Sequence, residues 1–156
     1  MKEDKDDGKR RLLKDYQHYD ERPFFKRWLR VFAPGLTVAQ YKEYIEGRYI
    51  WTVFCDNFIP KDKFLEGDAA RRAYDRADKS GATCAYLTGD KDGLPLPGAA
   101  LTAAGIESND STSGEFYVVG ASYGWTYIVT HETPSGIGPF FMSRKLLGHI
   151  CRTKKY

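Results

Sequence analysis

The sequence predicts an α+β fold: a single domain with one antiparallel sheet of about five strands, ending in a C-terminal meander and packed by N-terminal helices. Two observations carry this. Apolar residues between Arg22 and Gly47 recur at helical spacing, and those between Glu115 and Lys145 alternate at strand spacing and are broken by turn residues. A third, the length of 156 residues, fits one domain able to bury most of its apolar surface without metal or disulfide staples. Residues 1–15 mix both charge signs with almost no apolar residues before Leu12, and residues 1–20 are expected to form a flexible, charged N-terminus. The single α+β domain is expected over 21–156.

The first helix is expected near Arg22. Pro23 suits the first helical position, where its missing N–H costs nothing. Phe25, Trp28, Leu29 and Phe32 fall on one helical stripe. Arg22, Lys26, Arg27 and Arg30 lie largely off it, as a solvated face or an anion-facing patch. Pro34-Gly35 ends this helix. Thr37 and Gln40 then occupy the positions of a capping box, and Leu36 and Tyr41 those of a hydrophobic staple. Val38, Tyr41 and Ile45 form the inner stripe of this second helix, which Gly47 closes. Tyr49–Phe54, aromatic and β-branched, reads as a central strand covered on both faces.

A third helix is expected from Asp68 to Lys79, with Ala70, Ala73, Tyr74 and Ala77 on one face and Gly81 as its stop, then a strand over Thr83–Leu87. Residues 88–114, rich in Gly, Pro, Ala and Ser, are too long for a plain connector. They are expected to hold a short helix near Ala99–Ala104, with the remainder as loop, where binding function tends to reside. Glu115–Gly120 and Trp125–Glu132 read as strands joined through Ala121-Ser122-Tyr123-Gly124, the glycine supplying the positive φ. Trp125, Tyr127, Val129 and His131 should face one way, and Thr126, Ile128, Thr130 and Glu132 the other. Thr133–Gly138 makes a turn into a last strand over Phe140–Lys145. The closing LLGHICRTKKY is a short helix or an edge strand with a basic end.

Aromatic residues make up 15% of the chain, which suits either a core of large rings or an aromatic binding surface. The net charge of +3 is unevenly spread. Residues 1–35 hold ten Lys/Arg against seven Asp/Glu, and residues 144–156 five against none, which leaves nine against fourteen in 36–143. An acidic middle with basic ends differs from the uniformly basic footprint of a nucleic-acid binder. No apolar run is long enough to span a membrane, and the N-terminus has no apolar segment of the kind a secretory signal needs. Three cysteines, Cys55, Cys84 and Cys151, far apart and without a CxxC, suit a reducing cytoplasm.

Motifs for chemistry are largely missing. There is no phosphate-cradling glycine loop, no nucleophile elbow and no HExxH. Asp90-Lys91-Asp92-Gly93 resembles a calcium-loop fragment, but the glycine is misplaced and no closing Glu follows, so it reads as a polar turn. Of His18, His131 and His149, the last pairs with Cys151, but a zinc site would also need Cys55 or Cys84 to converge on it. No metal and no cofactor are expected. His131-Glu132 is the most suggestive pair, yet neighbours on a strand face opposite ways and cannot act on one atom. His131 is expected either to be a hydrogen-bonded histidine at a sheet end or to act as a base with Arg144 or a tyrosine.

The run FYVVGASYGWTYIVTHE followed by GPFF resembles a family of small uncharacterised bacterial proteins, known only as a domain of unknown function, with a WTYxxTHE-like strand. Trp51–Phe54 and the LEGDAA run from Leu65 to Ala70 are similar to a W-x-x-F strand and a helix start in the same family. The resemblance covers roughly Thr37 to Lys145. It implies one bacterial cytoplasmic domain and brings no activity to carry over.

These observations point to a non-enzymatic protein-binding module of bacterial type, most concretely an immunity protein that neutralises a toxin. Asp90, Asp92, Tyr123, Trp125, His131, Glu132 and Arg144 are the expected partner-binding residues, with no catalytic residue assigned and a basic partner favoured. Two alternatives are a small hydrolase or nuclease using His131 and Arg144, and a nucleic-acid-associated protein using the basic ends.

Overall fold

Helix α1, Pro23–Phe32, forms where the apolar stripe and the leading proline place it. Phe25, Trp28, Leu29 and Phe32 are fully buried, and Phe24 joins them. The Trp28 indole lies tilted against Phe32 at 5.3 Å and edge-on to Phe54 at 6.0 Å, so burial and quadrupolar attraction act together. The computed structural model describes residues 23–45, 50–55, 58–86, 93–108 and 115–145. The expected flexible segment 1–20, His18, Gly47, Asp90, Asp92, His149, Cys151 and most of the basic C-terminal run lie outside them. Contact density divides the chain into two compact units, Met1–Pro60 and Lys61–Tyr156.

The first unit continues with α2, Val38–Gln40, and the capping box is complete. The Gln40 amide donates to Thr37 Oγ1 at 3.2 Å, and the Thr37 amide donates to Gln40 Oε1 at 2.9 Å. Two of the donors that a helix start leaves unsatisfied are thereby paired. Leu36 and Tyr41 are both buried. The chain then widens into a π-helical turn, Tyr41–Ile45.

The strand expected at Tyr49–Phe54 is a 3-10 helix, Ile50–Phe54. Ile50, Trp51, Val53 and Phe54 are buried and Thr52 is half-buried, so an apolar run with one polar residue satisfies a tight helical turn as well as a two-sided strand. Such short runs do not declare their period. Local bonding settles it: the Cys55 amide donates to Thr52 O at 2.9 Å.

Among the described residues, the second unit holds a six-stranded antiparallel sheet with two short helices on one face. Its strands are β1 (Leu65–Glu66), β2 (Thr83–Tyr86), β3 (Leu94–Pro95), β4 (Phe116–Val119), β5 (Trp125–Val129) and β6 (Phe140–Ser143). They lie in the order β1-β6-β5-β4-β2-β3. The α+β class and the meander, β4-β5-β6, stand as read from the sequence. The membership differs: the strand expected at 49–54 is absent, and two-residue strands β1 and β3 form the edges, the latter blunted by Pro95. On one face Tyr127, Val129, Phe116, Val118 and Cys84 meet Ala70 and Tyr74 of α3 (Asp68–Arg76) and Ala103 and Ile106 of α4 (Ala103–Glu107). Tyr74 stacks on Tyr127 with centroids 4.2 Å apart, and its hydroxyl donates to Ala100 O. Residues of the opposite face, Tyr117, Val119, Thr126, Ile128, Phe140 and Met142, are buried as well.

Helix α3 ends at Arg76, not Lys79, because Ala77 turns extended and Asp78 Oδ1 accepts the Ser80 amide at 2.8 Å. An Asx turn competes with helix continuation there. Of residues 88–114, the described stretch 93–108 holds the short helical segment expected near Ala99–Ala104: after β3 comes a 3-10 turn, Gly98–Leu101, and then α4, capped by Thr102 and by Asp75 Oδ1, which accepts the Ala103 amide at 2.8 Å. Arg71 clasps Glu107 and Asp68 with contacts of 2.7 to 3.1 Å, tying α3 to α4. The β4–β5 turn also departs from expectation. Its positive φ values fall on Ser122 (55°) and Tyr123 (56°), while Gly124 is helical at −67°.

Candidate functional site

Strand β5 carries a different constellation at each end. At its C-terminal end the strand stops at Val129 and three bonds fold the chain into a turn. The Glu132 amide donates to Thr130 Oγ1 at 3.0 Å, Thr130 Oγ1 donates to Ile137 O at 3.1 Å, and the Thr133 amide donates to Thr130 O at 3.1 Å. His131 and Glu132 therefore sit in a turn, where strand alternation has no force. They do not diverge: His131 Nε2 lies 3.0 Å from Glu132 Oε1.

His131 Nδ1 bonds Glu115 Oε1, and the same oxygen accepts the His131 amide at 3.2 Å. The Glu115 side chain is 3% exposed, and its Oε2 is buried with no hydrogen-bond partner among the described residues. Both ring nitrogens thus face carboxylate oxygens, and both can donate only in the imidazolium form. The hydrogen bond to Glu115, reinforced by Glu115 and Glu132 charge, raises the His131 pKa above its ordinary 6.5. When protonated, the ring is a cation held between a buried and a half-exposed carboxylate. It is built to clamp the start of β4 to the turn after β5.

At the N-terminal end, the Trp125 ring is held from three sides. It stacks on Phe141 with centroids 5.7 Å apart at 22°, meets Tyr74 edge-on at 5.7 Å, and lies over the backbone of Gly120. A Cβ on Gly120 would stand 2.3 Å from Trp125 Nε1, so only glycine admits the ring there. Trp125 and Phe141 are nonetheless half-buried, and Leu65, opposite Phe141 in register, is 40% exposed. Pleating puts Leu65, Phe141 and Trp125 on one face across β1, β6 and β5. Lys79 stands over the Tyr74 ring at 4.4 Å and donates to Tyr74 O. Arg144 donates from Nη1 to Ser122 O at 3.3 Å and from its amide to Gly124 O at 3.0 Å.

Of the expected partner-binding residues, the structure brings Trp125 and Arg144 together, with Tyr123 beside them but buried. His131 and Glu132 lie in the turn beyond the far end of β5, whose four steps from Trp125 to Val129 rise about 13 Å. His131 and Arg144 therefore do not share a site. Among the described residues no group of three or more His, Cys, Asp or Glu side chains is placed to hold a metal ion, and no helix is long and apolar enough to cross a membrane. Sequence reasoning missed Glu115, Phe141, Leu65 and Lys79. Phe141 was within reach, since alternation along β6 sets it on the Tyr127 face; nothing local to Glu115 announces its burial.

The chain belongs to the family described as Domain of unknown function (DUF4275), whose model matches residues 7–141. No curated protein and no solved structure matches it.

Proposed function

We propose that this member of the family is a non-enzymatic protein-binding module that docks a partner through the Leu65–Phe141–Trp125 strip. One observation carries the reading: a tryptophan locked by Phe141, Tyr74 and Gly120 remains half-exposed beside an exposed leucine. A rigid aromatic loses little entropy on binding, and such anchors dominate interface energetics. The most concrete form of the reading is an immunity protein that neutralises a toxin in the bacterial cytoplasm. Cys84, a buried thiol, suits that reducing setting, and burial pushes it up to about 11, away from reactivity. The hydrolase alternative would need His131 and Arg144 in one cleft, and their separation speaks against it.

The test is affinity purification of the full chain from its host beside Trp125→Ala and Phe141→Ala, each checked for folding by circular dichroism. A stoichiometric protein partner retained by the parent and lost from both variants is expected. Equal recovery by parent and variants, or no stoichiometric partner, would remove the reading.

A further inference from the structure

We propose that the His131 ring is a proton-operated clasp: when protonated it ties Glu132 and the turn over residues 132–137 to Glu115 at the start of β4, and when it loses a proton it releases Glu132 and loosens that turn. The geometry fixes which half of the clasp opens. Nδ1 and the His131 amide converge on Glu115 Oε1, and Nε2 lies 3.0 Å from Glu132 Oε1. A neutral imidazole keeps one N–H. It stays on Nδ1, because the Glu115 side chain is buried and its other oxygen, Oε2, has no hydrogen-bond partner among the described residues. Losing the Nδ1 donor would strand a buried carboxylate. The Glu132 side chain is half-exposed and can turn to water instead. Nε2 then presents a lone pair to a carboxylate oxygen with no proton between them, and attraction becomes repulsion.

The turn is poised to respond, since its bonds run through Glu132. The Glu132 carbonyl accepts the Ser135 amide at 2.9 Å and the Ile137 amide at 3.1 Å, and its own amide donates to Thr130 Oγ1 at 3.0 Å. Residues 134–137 are exposed, and Thr133 is buried beneath them. A segment held by few buried contacts and by backbone bonds close to solvent opens at low cost. Strand pairing does not pass through the ring, because the β4–β5 register ends at Phe116 opposite Val129, so the response is confined to the turn. Among the described residues, Glu115 from the start of β4 and Glu132 from the turn are the charged groups acting on the ring, and both favour its cationic form. Glu66, from β1, is engaged by the Gly138 amide just past the turn. The two carboxylates raise the His131 pKa above its ordinary 6.5. The turn is therefore held at lower pH and let go as pH rises through the raised value.

The test is nuclear magnetic resonance of the full chain from about pH 6 to 9, with two readouts: titration of the His131 ring, and solvent-exchange rates of the turn amides corrected for the intrinsic effect of pH. The ring should titrate above its ordinary 6.5. Corrected exchange of the Ser135 and Ile137 amides should rise about two- to fivefold across that titration, the scale of a half-exposed ion pair, while the Tyr127 and Ile128 amides stay constant. Glu132→Gln keeps Glu115 and should retain a raised ring titration yet lose the step in exchange, because a side-chain amide offers a matching atom to either protonation state of Nε2. His131→Gln should show no step; melting curves show that both variants are folded. A ring titrating at or below the ordinary value, turn exchange indifferent to pH, or a step that persists in Glu132→Gln would each overturn the clasp. A rise spread equally over β4 and β5 would overturn it too, as a general loss of stability with no local device.

Discussion

The two ends of β5 are built from the same kinds of residue and do opposite things. Each has a ring at the strand terminus, a nearby charge of opposite sign to a neighbour, and a tight turn. At the His131 end polar partners are turned inward: a buried carboxylate, both ring nitrogens and the backbone are consumed in holding the fold. At the Trp125 end the ring is fixed by packing against Phe141 and Tyr74, and part of its surface stays exposed. The difference teaches that a suggestive histidine and glutamate can be spent on holding a turn, while a tightly packed aromatic can still keep part of its surface exposed.

The sharpest way to break the comparison is His131→Ala. Removing the imidazolium leaves Glu115 buried without its counter-charge, and we expect a loss of about 2–3 kcal/mol, below the range for fully buried pairs because His131 is partly exposed; chemical denaturation measures it. Binding through Trp125 should be unaffected in the variant that remains folded. Gly120→Ala strikes the other end. The added methyl displaces the indole, with an expected cost of about 1–3 kcal/mol from overpacking and a fall in binding at least as large as that of Trp125→Ala.

Titration distinguishes the ends further. The His131 pKa is raised in the folded state, so its contribution is fully present below about 6.5, the ordinary value, and fades as pH rises through the raised folded value. Stability measured from pH 6 to 9 should therefore fall for the parent and stay flatter for His131→Ala over the same window. Ser122→Gly has a smaller effect: it relieves a left-handed non-glycine residue and should stabilise by about 0.5 kcal/mol. Smallest is Glu132→Gln, whose ion pair is half-exposed and worth under about 1 kcal/mol.

Much of this was legible in the sequence where period and caps agree. The stripe of α1, the Thr37–Gln40 box and the β4-β5-β6 meander were each stated by several residues at once. The Ile50–Phe54 turn was not, because a five-residue apolar run fits two periods. Alternation along 125–132 placed Trp125 and Tyr127 properly and failed at His131, since Thr130 side-chain bonds end the strand two residues before it. The Leu65–Phe141–Trp125 strip depends on pairing Leu65 with Phe141 across 76 positions of chain, a long-range register no local pattern encodes.

Hydrogen–deuterium exchange of the full chain, alone and with the partner recovered by affinity purification, tests the central claim most directly. Protection should appear around residues 120–125 and 141–145 and leave 115 and 130–137 unchanged. Protection centred on the His131 turn, with none at Trp125, would contradict the division of labour between the two ends.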